Sequence, residues 1–234
     1  MPQTLTQRRP PQARMPKLFA GDILDQKTFH ERYKAMPEHV KAELVEGIVY
    51  MPSPLGMDHG SRHSKLNGWL EAYIAATPGT EVFNNATTIL GSRCEVQPDC
   101  SLVIPREYGG QSRMNDEGYL RGPPELIAEV AHGSEAYDMH GKLRDYENAG
   151  VKEYLVVLLR RAEVVWHTRH GSNKKFSLVH PERDGLYRSE IFPGLWLDAD
   201  ALFRGDSRAL HAALKKGLAT PEHSKFVQSL KHVK

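Results

Sequence analysis

Two acidic residues stand in segments that otherwise have the composition of buried β-strands. Asp99 follows Pro98 in EVQPDCSLVIP, and Glu129 lies in the middle of ELIAEVA. An ionised carboxylate in an apolar interior is unfavourable unless a partner compensates it. Two such acids brought close together raise each other's pKa, and a divalent cation commonly relieves the repulsion. The pair therefore predicts a site with oxygen ligands for magnesium or manganese.

The first predicted hairpin and the helix after Glu129 can complete this site. Glu43 and Glu46 are both candidates for a third acid, and Glu43 is preferred because Glu46 falls at a turn, where solvation explains it. Lys142 lies beside the inner face of the predicted helix. An ammonium group there could orient a nucleophile or stabilise the charge that develops on a phosphate.

Each of these residues also has a purely structural explanation. Asp99 can bond its own backbone at a bulge marked by proline. Glu129 can pair with Arg144 without any metal, and Lys142 can pair with Asp138 on the helix surface. These alternatives stay open at the level of the sequence.

His59 and His63 lie four residues apart on one face of a predicted helix. Histidines at this spacing can chelate zinc, but HGSRH lacks the glutamate of the zinc-peptidase motif and offers no evident third ligand. A zinc hydrolase is therefore a distant hypothesis. A local hydrogen bond and an accessory role at a metal or phosphate site are equally compatible with each histidine.

The elements that would position these residues predict an α/β fold, in which a mixed central sheet is flanked by two main helices. Helical spacing of apolar residues predicts the first helix over 58–76. The second is predicted to be capped by Ser134 and to end at Gly150. Its inner face would carry Met139, Leu143 and Tyr146. Tyr146 is interpreted as a core residue without a chemical role.

Several other segments have clear local signals. AELVEGIVYM predicts two short strands around the Glu46-Gly47 turn, and EYLVVLL predicts a central strand. The polar, glycine-rich segment 106–124 is a candidate for a mobile loop over the site. Residues 1–17 have the composition of a disordered basic leader, and 204–234 that of a basic C-terminal helix or tail.

The composition is typical of one domain with tails. The chain has 234 residues and a formal net charge of +2, which neither requires nor excludes a nucleic-acid partner. Cys94 and Cys100 suggest neither a disulfide framework nor a zinc site. No segment has the length and apolarity of a membrane span or of a signal peptide, so a cytoplasmic protein is expected.

A succession of segments resembles the Uma-two family of restriction endonucleases, within the PD-(D/E)XK nuclease superfamily, over about residues 18–203. The segments are AELVEGIVYMPSP, DHGSRHSKLNGWL, VQPDCSLVIP, PPELIAEVAHGSEAYDMHGKLRDYENAGVKEYLVV and FPGLWLDADALF. The resemblance implies an active site of three acids and one lysine, with magnesium as the usual ion. On this sequence they are Glu43, Asp99, Glu129 and Lys142. The family's histidine falls on His59 and its serine on Ser134.

Two positions depart from the pattern. The superfamily's usual lysine lies two residues after the glutamate, where this chain has Ala131, but proteins of the Uma type carry the lysine on the following helix, as Lys142 would. The run AHGS replaces a common Ser-Pro-Ser sequence, which affects the loop more than the ligands.

The resulting hypothesis is a metal-dependent endonuclease that hydrolyses phosphodiester bonds, with DNA as the expected substrate and Mg²⁺ or Mn²⁺ as cofactor. Asp99, Glu129 and Glu43 would hold the metal, and Lys142 would position the attacking water. Glu46, His59 and Ser134 would be accessory. The alternative is a nuclease fold without catalysis, which acts as a DNA-binding or regulatory module. A homodimer is compatible with either function.

Overall fold

The computed structural model describes residues 15–171 and 174–230. Most of the leader predicted over 1–17 lies outside these residues. The strands are β1 Glu43–Val45, β2 Ile48–Tyr50, β3 Glu81–Asn84, β4 Thr88–Ile89, β5 Glu95–Val96, β6 Cys100–Val103, β7 Arg113–Met114, β8 Leu120–Arg121, β9 Leu126–Ala131, β10 Glu153–Leu158, β11 Glu163–Thr168, β12 Ser177–Val179, β13 Leu186–Arg188 and β14 Trp196–Asp198. The α-helices are α1 Gln26–Lys34, α2 Met57–Ala75, α3 Glu135–Tyr137, α4 Leu143–Ala149, α5 Ala199–Arg204, α6 Ser207–Leu218 and α7 Pro221–Ser229.

A mixed six-stranded sheet with the order β12-β11-β10-β9-β6-β3 forms the centre of the molecule. β9 and β10 are parallel, with Glu129 opposite Val156, whereas the other neighbouring strands are antiparallel. The helix between β9 and β10 provides the crossover that a parallel pair needs. The predicted α/β fold with a mixed central sheet is confirmed.

Alternation along β9 assigns its side chains to the two faces of this sheet. Leu126, Ala128 and Val130 pack with α2 in the larger apolar core, whereas Ile127 and Ala131 pack on the opposite side with Tyr146 of α4. Glu129 shares the second face. The sequence therefore places one acid among the apolar residues that α4 covers.

A second six-stranded sheet of short strands, with the order β2-β1-β5-β4-β8-β7, lies beside the crossover. The predicted hairpin is confirmed as β1 and β2, and its turn places Glu46 at φ 53° and Gly47 at φ 80°. Left-handed conformations at both turn residues are typical of a tight two-residue hairpin. This hairpin carries Glu43 toward β9.

The segment 106–124 differs from its prediction as a mobile loop over the site. Within it, β7 and β8 form an antiparallel pair at the edge of the second sheet, and β8 also pairs with β4. No residue of this segment lines the cleft described below. Its polar, glycine-rich composition arises from turns, such as the one that Asn115 closes by accepting bonds from the amides of Glu117 and Tyr119.

The described part of 204–234 consists mainly of α6 and α7. Leu210 and Leu214 of α6 belong to the same apolar core as Trp69 of α2. The stretch that the sequence set apart as a basic helix or tail therefore contributes one apolar face to the main core. No helix among residues 15–171 and 174–230 is long and apolar enough to cross a membrane.

Candidate active site

The acids and the lysine singled out in the sequence line one cleft of about 780 Å³. Glu43 comes from β1, Asp99 from the residue before β6, Glu129 from β9 and Lys142 from the crossover between β9 and β10. All four side chains are buried, although the cleft itself opens to solvent. The fold therefore brings together residues that are far apart in the chain.

The Lys142 ammonium group contacts three acidic side chains. Its Nζ lies 2.9 Å from Oε1 of Glu129, 3.0 Å from Oε2 of Glu43 and 3.5 Å from Oδ1 of Asp138. The Tyr146 hydroxyl donates a hydrogen bond of 3.0 Å to the same Oε1 of Glu129. Arg144, the alternative partner for Glu129, instead bonds Glu46 at the protein surface.

The helix between β9 and β10 is interrupted where it carries the lysine. The predicted continuous helix is α3, then a π-helical segment over Asp138–Lys142, then α4. A π-helical turn holds more residues than an α-helical turn, so it changes which side chains face inward. Asp138, Lys142 and Tyr146 are buried, whereas Met139 and Leu143 of the predicted inner face are only partly so. The interruption thus turns Lys142 toward Glu129.

The ends of this helical region differ in how well the sequence predicts them. Gly150 ends α4 in a left-handed conformation, as predicted. Ser134 precedes α3 but makes no side-chain cap bond, so the predicted capping by its side chain is wrong. Ser134 instead lines the cleft, where its side chain lowers the pKa of Asp138 against the larger effect of burial.

Asp99 is held by backbone amides and by two histidines of α2. Its Oδ2 accepts a bond of 2.8 Å from the Val130 amide and lies 3.2 Å from Nε2 of His59. Oδ1 lies 3.7 Å from Nδ1 of His63. The Asp99 amide donates to Oε2 of Glu129 at 3.3 Å, which ties the two predicted acids to one another.

Buried charges in the cleft are unbalanced, because four buried carboxylates share it with one buried ammonium group, that of Lys142. The pKa of Glu129 is raised to about 8, chiefly by burial and also by the nearby Asp138, Asp99 and Glu43, against the opposing effect of Lys142. Burial likewise raises the pKa of Asp138. Burial is the largest influence on Asp99 and disfavours its ionised form, but the hydrogen bond and charge of His59, the Val130 amide and His63 together outweigh burial and lower the Asp99 pKa. Surplus buried acid is the electrostatic pattern that a bound cation relieves.

Glu43 and Glu46 occupy different environments, although three residues separate them. Glu43 accepts a bond of 2.7 Å from the Gln97 amide through Oε1 and contacts Lys142 through Oε2. Glu46 lies at the hairpin turn and pairs with Arg144 on the outer side of α4. Of the two candidates for the third acid, only Glu43 lies in the cleft.

Asp138, Tyr146 and His63 belong to the cluster but are not among the site residues predicted from the sequence. Tyr146 is a core residue as interpreted, but it also bonds Glu129. His63 was considered with His59 and left aside for lack of a third ligand, which Asp99 provides in three dimensions. The His-x-x-x-His spacing on a helix was the available signal. Only the fold could show which carboxylate it faces.

A solved structure supports the class of fold. The chain is similar to a protein of Anabaena variabilis described as a putative nuclease belonging to DUF820, with 15% sequence identity and a TM-score of 0.55. The similarity covers 75% of this chain and 97% of the other. A comparison with curated proteins finds no match. The mixed sheet and its helices therefore define a nuclease-like α/β protein.

The sequence comparison identifies the family. The profile of Uma2, described as putative restriction endonuclease, matches residues 28–200. This chain belongs to the Uma2 family.

Proposed function

We propose that the protein is a metal-dependent endonuclease that hydrolyses phosphodiester bonds in DNA. One observation carries the proposal: the Lys142 ammonium group lies within 3.0 Å of carboxylate oxygens of both Glu43 and Glu129 in a solvent-accessible cleft that also contains Asp99. A lysine beside clustered acids is an arrangement of side chains that can support metal-assisted attack on phosphorus.

The donor set fits a divalent cation. Asp99 and Glu129 are the residues that would hold it, because the contacts of Asp99 Oδ1 and Glu129 Oε2, at 3.7 and 3.3 Å, are longer than those of the two Glu43 oxygens, at 2.7 and 3.0 Å. Both oxygens of Glu43 are already bonded, so Glu43 would act through Lys142 or through water. When bound, such an ion would polarise the phosphate and make water more acidic.

Lys142 acts as a fixed positive charge in this proposal. Burial alone would lower its pKa, but the carboxylates of Glu129 and Glu43 outweigh burial and raise the pKa well above the ordinary value. The amine is therefore protonated at neutral pH and unsuitable as a general base. It can donate a hydrogen bond to the attacking water or to a phosphate oxygen, and so stabilise the developing charge.

The surroundings of the cleft are compatible with a nucleic-acid strand. Exposed His39, Lys41 and His132 line the cleft together with the acids, so the cleft also presents cationic or polar groups. Phosphate contacts of this kind position a substrate without reading its sequence.

Cleavage of supercoiled plasmid and of single-stranded DNA with Mg²⁺ or Mn²⁺ tests the proposal. Wild type should nick the plasmid only with metal, Asp99→Asn should not, and Asp116→Asn, which changes an exposed acid outside the cleft, should behave as wild type. Cleavage that survives in Asp99→Asn contradicts the proposal. If wild type binds DNA without cutting it under any condition, the alternative of a binding or regulatory module replaces it.

A further inference from the structure

The two histidines of α2 and Asp99 form a second ligand set in the same cleft. One ligand atom from each of His59, His63 and Asp99 lies within 4.8 Å of the other two. Among residues 15–171 and 174–230, no other group of histidine, cysteine, aspartate or glutamate meets this criterion. The acids Glu43 and Glu129 are not part of the group.

The hydrogen bonding of His63 determines which nitrogen is available. Its Nε2 lies 2.8 Å from the backbone carbonyl oxygen of Asp99. A carbonyl oxygen can only accept, so Nε2 carries a proton and donates it. In the neutral ring Nδ1 then has a lone pair, which is directed toward the Asp99 carboxylate. Histidines that bind metals characteristically donate their other ring N–H to a carbonyl or carboxylate in this way.

The distance between His63 and Asp99 suits two ligands of one ion better than a direct hydrogen bond. Nδ1 of His63 lies 3.7 Å from Oδ1 of Asp99, which is too long for a hydrogen bond, and Nε2 of His59 lies 3.2 Å from Oδ2. Two ligands that each lie about 2.1 Å from one ion are roughly 3.0–3.4 Å apart. Small side-chain rotations would bring all three atoms to that spacing.

We propose that His59 Nε2, His63 Nδ1 and the Asp99 carboxylate form a binding site for a transition-metal ion, with two nitrogen ligands and one carboxylate. Imidazole favours ions such as Co²⁺ and Zn²⁺ over Mg²⁺, which prefers oxygen. The selectivity of this chain should therefore depend on His63. The catalytic relevance of the site rests on the proposed nuclease function, but its metal binding does not.

The competing arrangement is an ion pair between protonated histidines and Asp99. An ion pair and a metal site make opposite predictions when metal is added, because protons and metal compete for the same nitrogen lone pairs. Metal binding should release protons and introduce nitrogen ligands. An ion pair without metal affinity should do neither.

Titration of untagged full-length protein with Co²⁺ and with Mg²⁺, followed by calorimetry, measures the selectivity. Wild type should bind Co²⁺ in a one-to-one ratio, and His63→Asn should bind it at least tenfold more weakly with much less change toward Mg²⁺. His39→Asn, which removes an exposed histidine of the same cleft, is the matched control and should leave Co²⁺ affinity unchanged. Circular dichroism and thermal midpoints of the metal-free proteins would show that the variants are folded.

Electron paramagnetic resonance with Cu²⁺ as probe identifies the ligands directly. Wild type should show coupling to two imidazole nitrogens, whereas His63→Asn and His59→Asn should each show one. Equal Co²⁺ affinity in wild type and His63→Asn, or an unchanged nitrogen count, overturns the inference. If Mg²⁺-dependent cleavage requires Asp99 but no nitrogen-ligated metal binds, only this inference fails. If the metal binds and no DNA is cut with any ion, the nuclease proposal fails and the metal site stands.

Discussion

Glu129 and Glu153 are buried glutamates in adjacent strands of the central sheet, and their partners differ. Glu153 accepts bonds from the Ser189 hydroxyl at 2.6 Å and from the amides of Glu190 and Ile191 at 2.8 and 3.3 Å. All of these donors are uncharged and come from one turn. Glu129 instead shares its oxygens with the Lys142 ammonium and the Tyr146 hydroxyl.

This difference shows that a buried acid alone does not mark a reactive site. Burial raises the pKa of both residues, to about 7 for Glu153 and to about 8 for Glu129. Only Glu129 lies in an open cleft beside other acids, where a cation or substrate can reach it. Glu153 holds the 189–191 turn against the sheet, which is a structural role.

The largest expected effect is on cleavage. Glu129→Gln removes the carboxylate of a proposed metal ligand, so we expect DNA cleavage to fall at least a thousandfold, which corresponds to about 4 kcal/mol of transition-state stabilisation. Glu153→Gln should cleave as wild type. Initial nicking rates of both variants check this, and equal losses in the two would remove the distinction between the residues.

Removal of the lysine should cost stability as well as activity. Lys142→Met leaves Glu43, Glu129 and Asp138 without their shared counter-ion, and breaking a buried pair typically costs about 3–5 kcal/mol. Urea denaturation at pH 7 should show a lower free energy of unfolding. Added Mn²⁺ should recover part of the loss if the acids can hold a cation. A variant as stable as wild type at this pH would mean that the carboxylates are already protonated.

The pH dependence of stability separates the two glutamates further. The pKa of Glu153 is about 7 in the folded protein, above the ordinary glutamate value of 4.5. The uncharged acid is therefore favoured in the fold, and its contribution is complete below about pH 4.5 and declines as pH rises through 7. The loss is at most about 3 kcal/mol, from about 1.4 kcal/mol for each pKa unit.

Glu153→Gln should remove this part of the pH dependence. Glutamine can keep its carbonyl toward the amides of Glu190 and Ile191 and present its amide to the Ser189 hydroxyl. Free energies of unfolding at pH 5 and pH 8 should therefore differ less in the variant than in wild type. An identical difference in both proteins would show that Glu153 ionises without cost.

Local patterns predict most of the sheet and the first hairpin, because alternation, turn chemistry and apolar runs act over a few residues. AELVEGIVYM contains both strands and the turn that places Glu43. Glu129 and Asp99 could be singled out because charge is costly inside apolar strands. The parallel pairing of β9 with β10 was not predicted, although the helix between them provides the crossover that it needs.

Other features depend on contacts that no local pattern contains. The π-helical segment places Gly141 close against the hairpin. A Cβ atom at this position would lie 3.0 Å from the side chain of Val45 and 3.4 Å from that of Glu46. The segment buries Lys142, where helical periodicity alone predicted a position beside the inner face. Likewise, His63 lies near Asp99 only because α2 packs across the end of β6, so its ligand partner could not be read from HGSRH.

The smallest expected effect distinguishes the two acids of the hairpin. Glu46→Gln weakens an exposed ion pair in which Nε and Nη2 of Arg144 each lie 2.7 Å from a carboxylate oxygen. Exposed pairs contribute at most about 1 kcal/mol, and the bonds from the Glu46 amide to Asp145 and from Arg93 to the Glu46 carbonyl remain. Cleavage and unfolding should therefore change little. Glu43→Gln, three residues away, removes the charge that faces Lys142 and should slow cleavage strongly, so equal effects in the two variants would mean that the hairpin supports the site only by its shape.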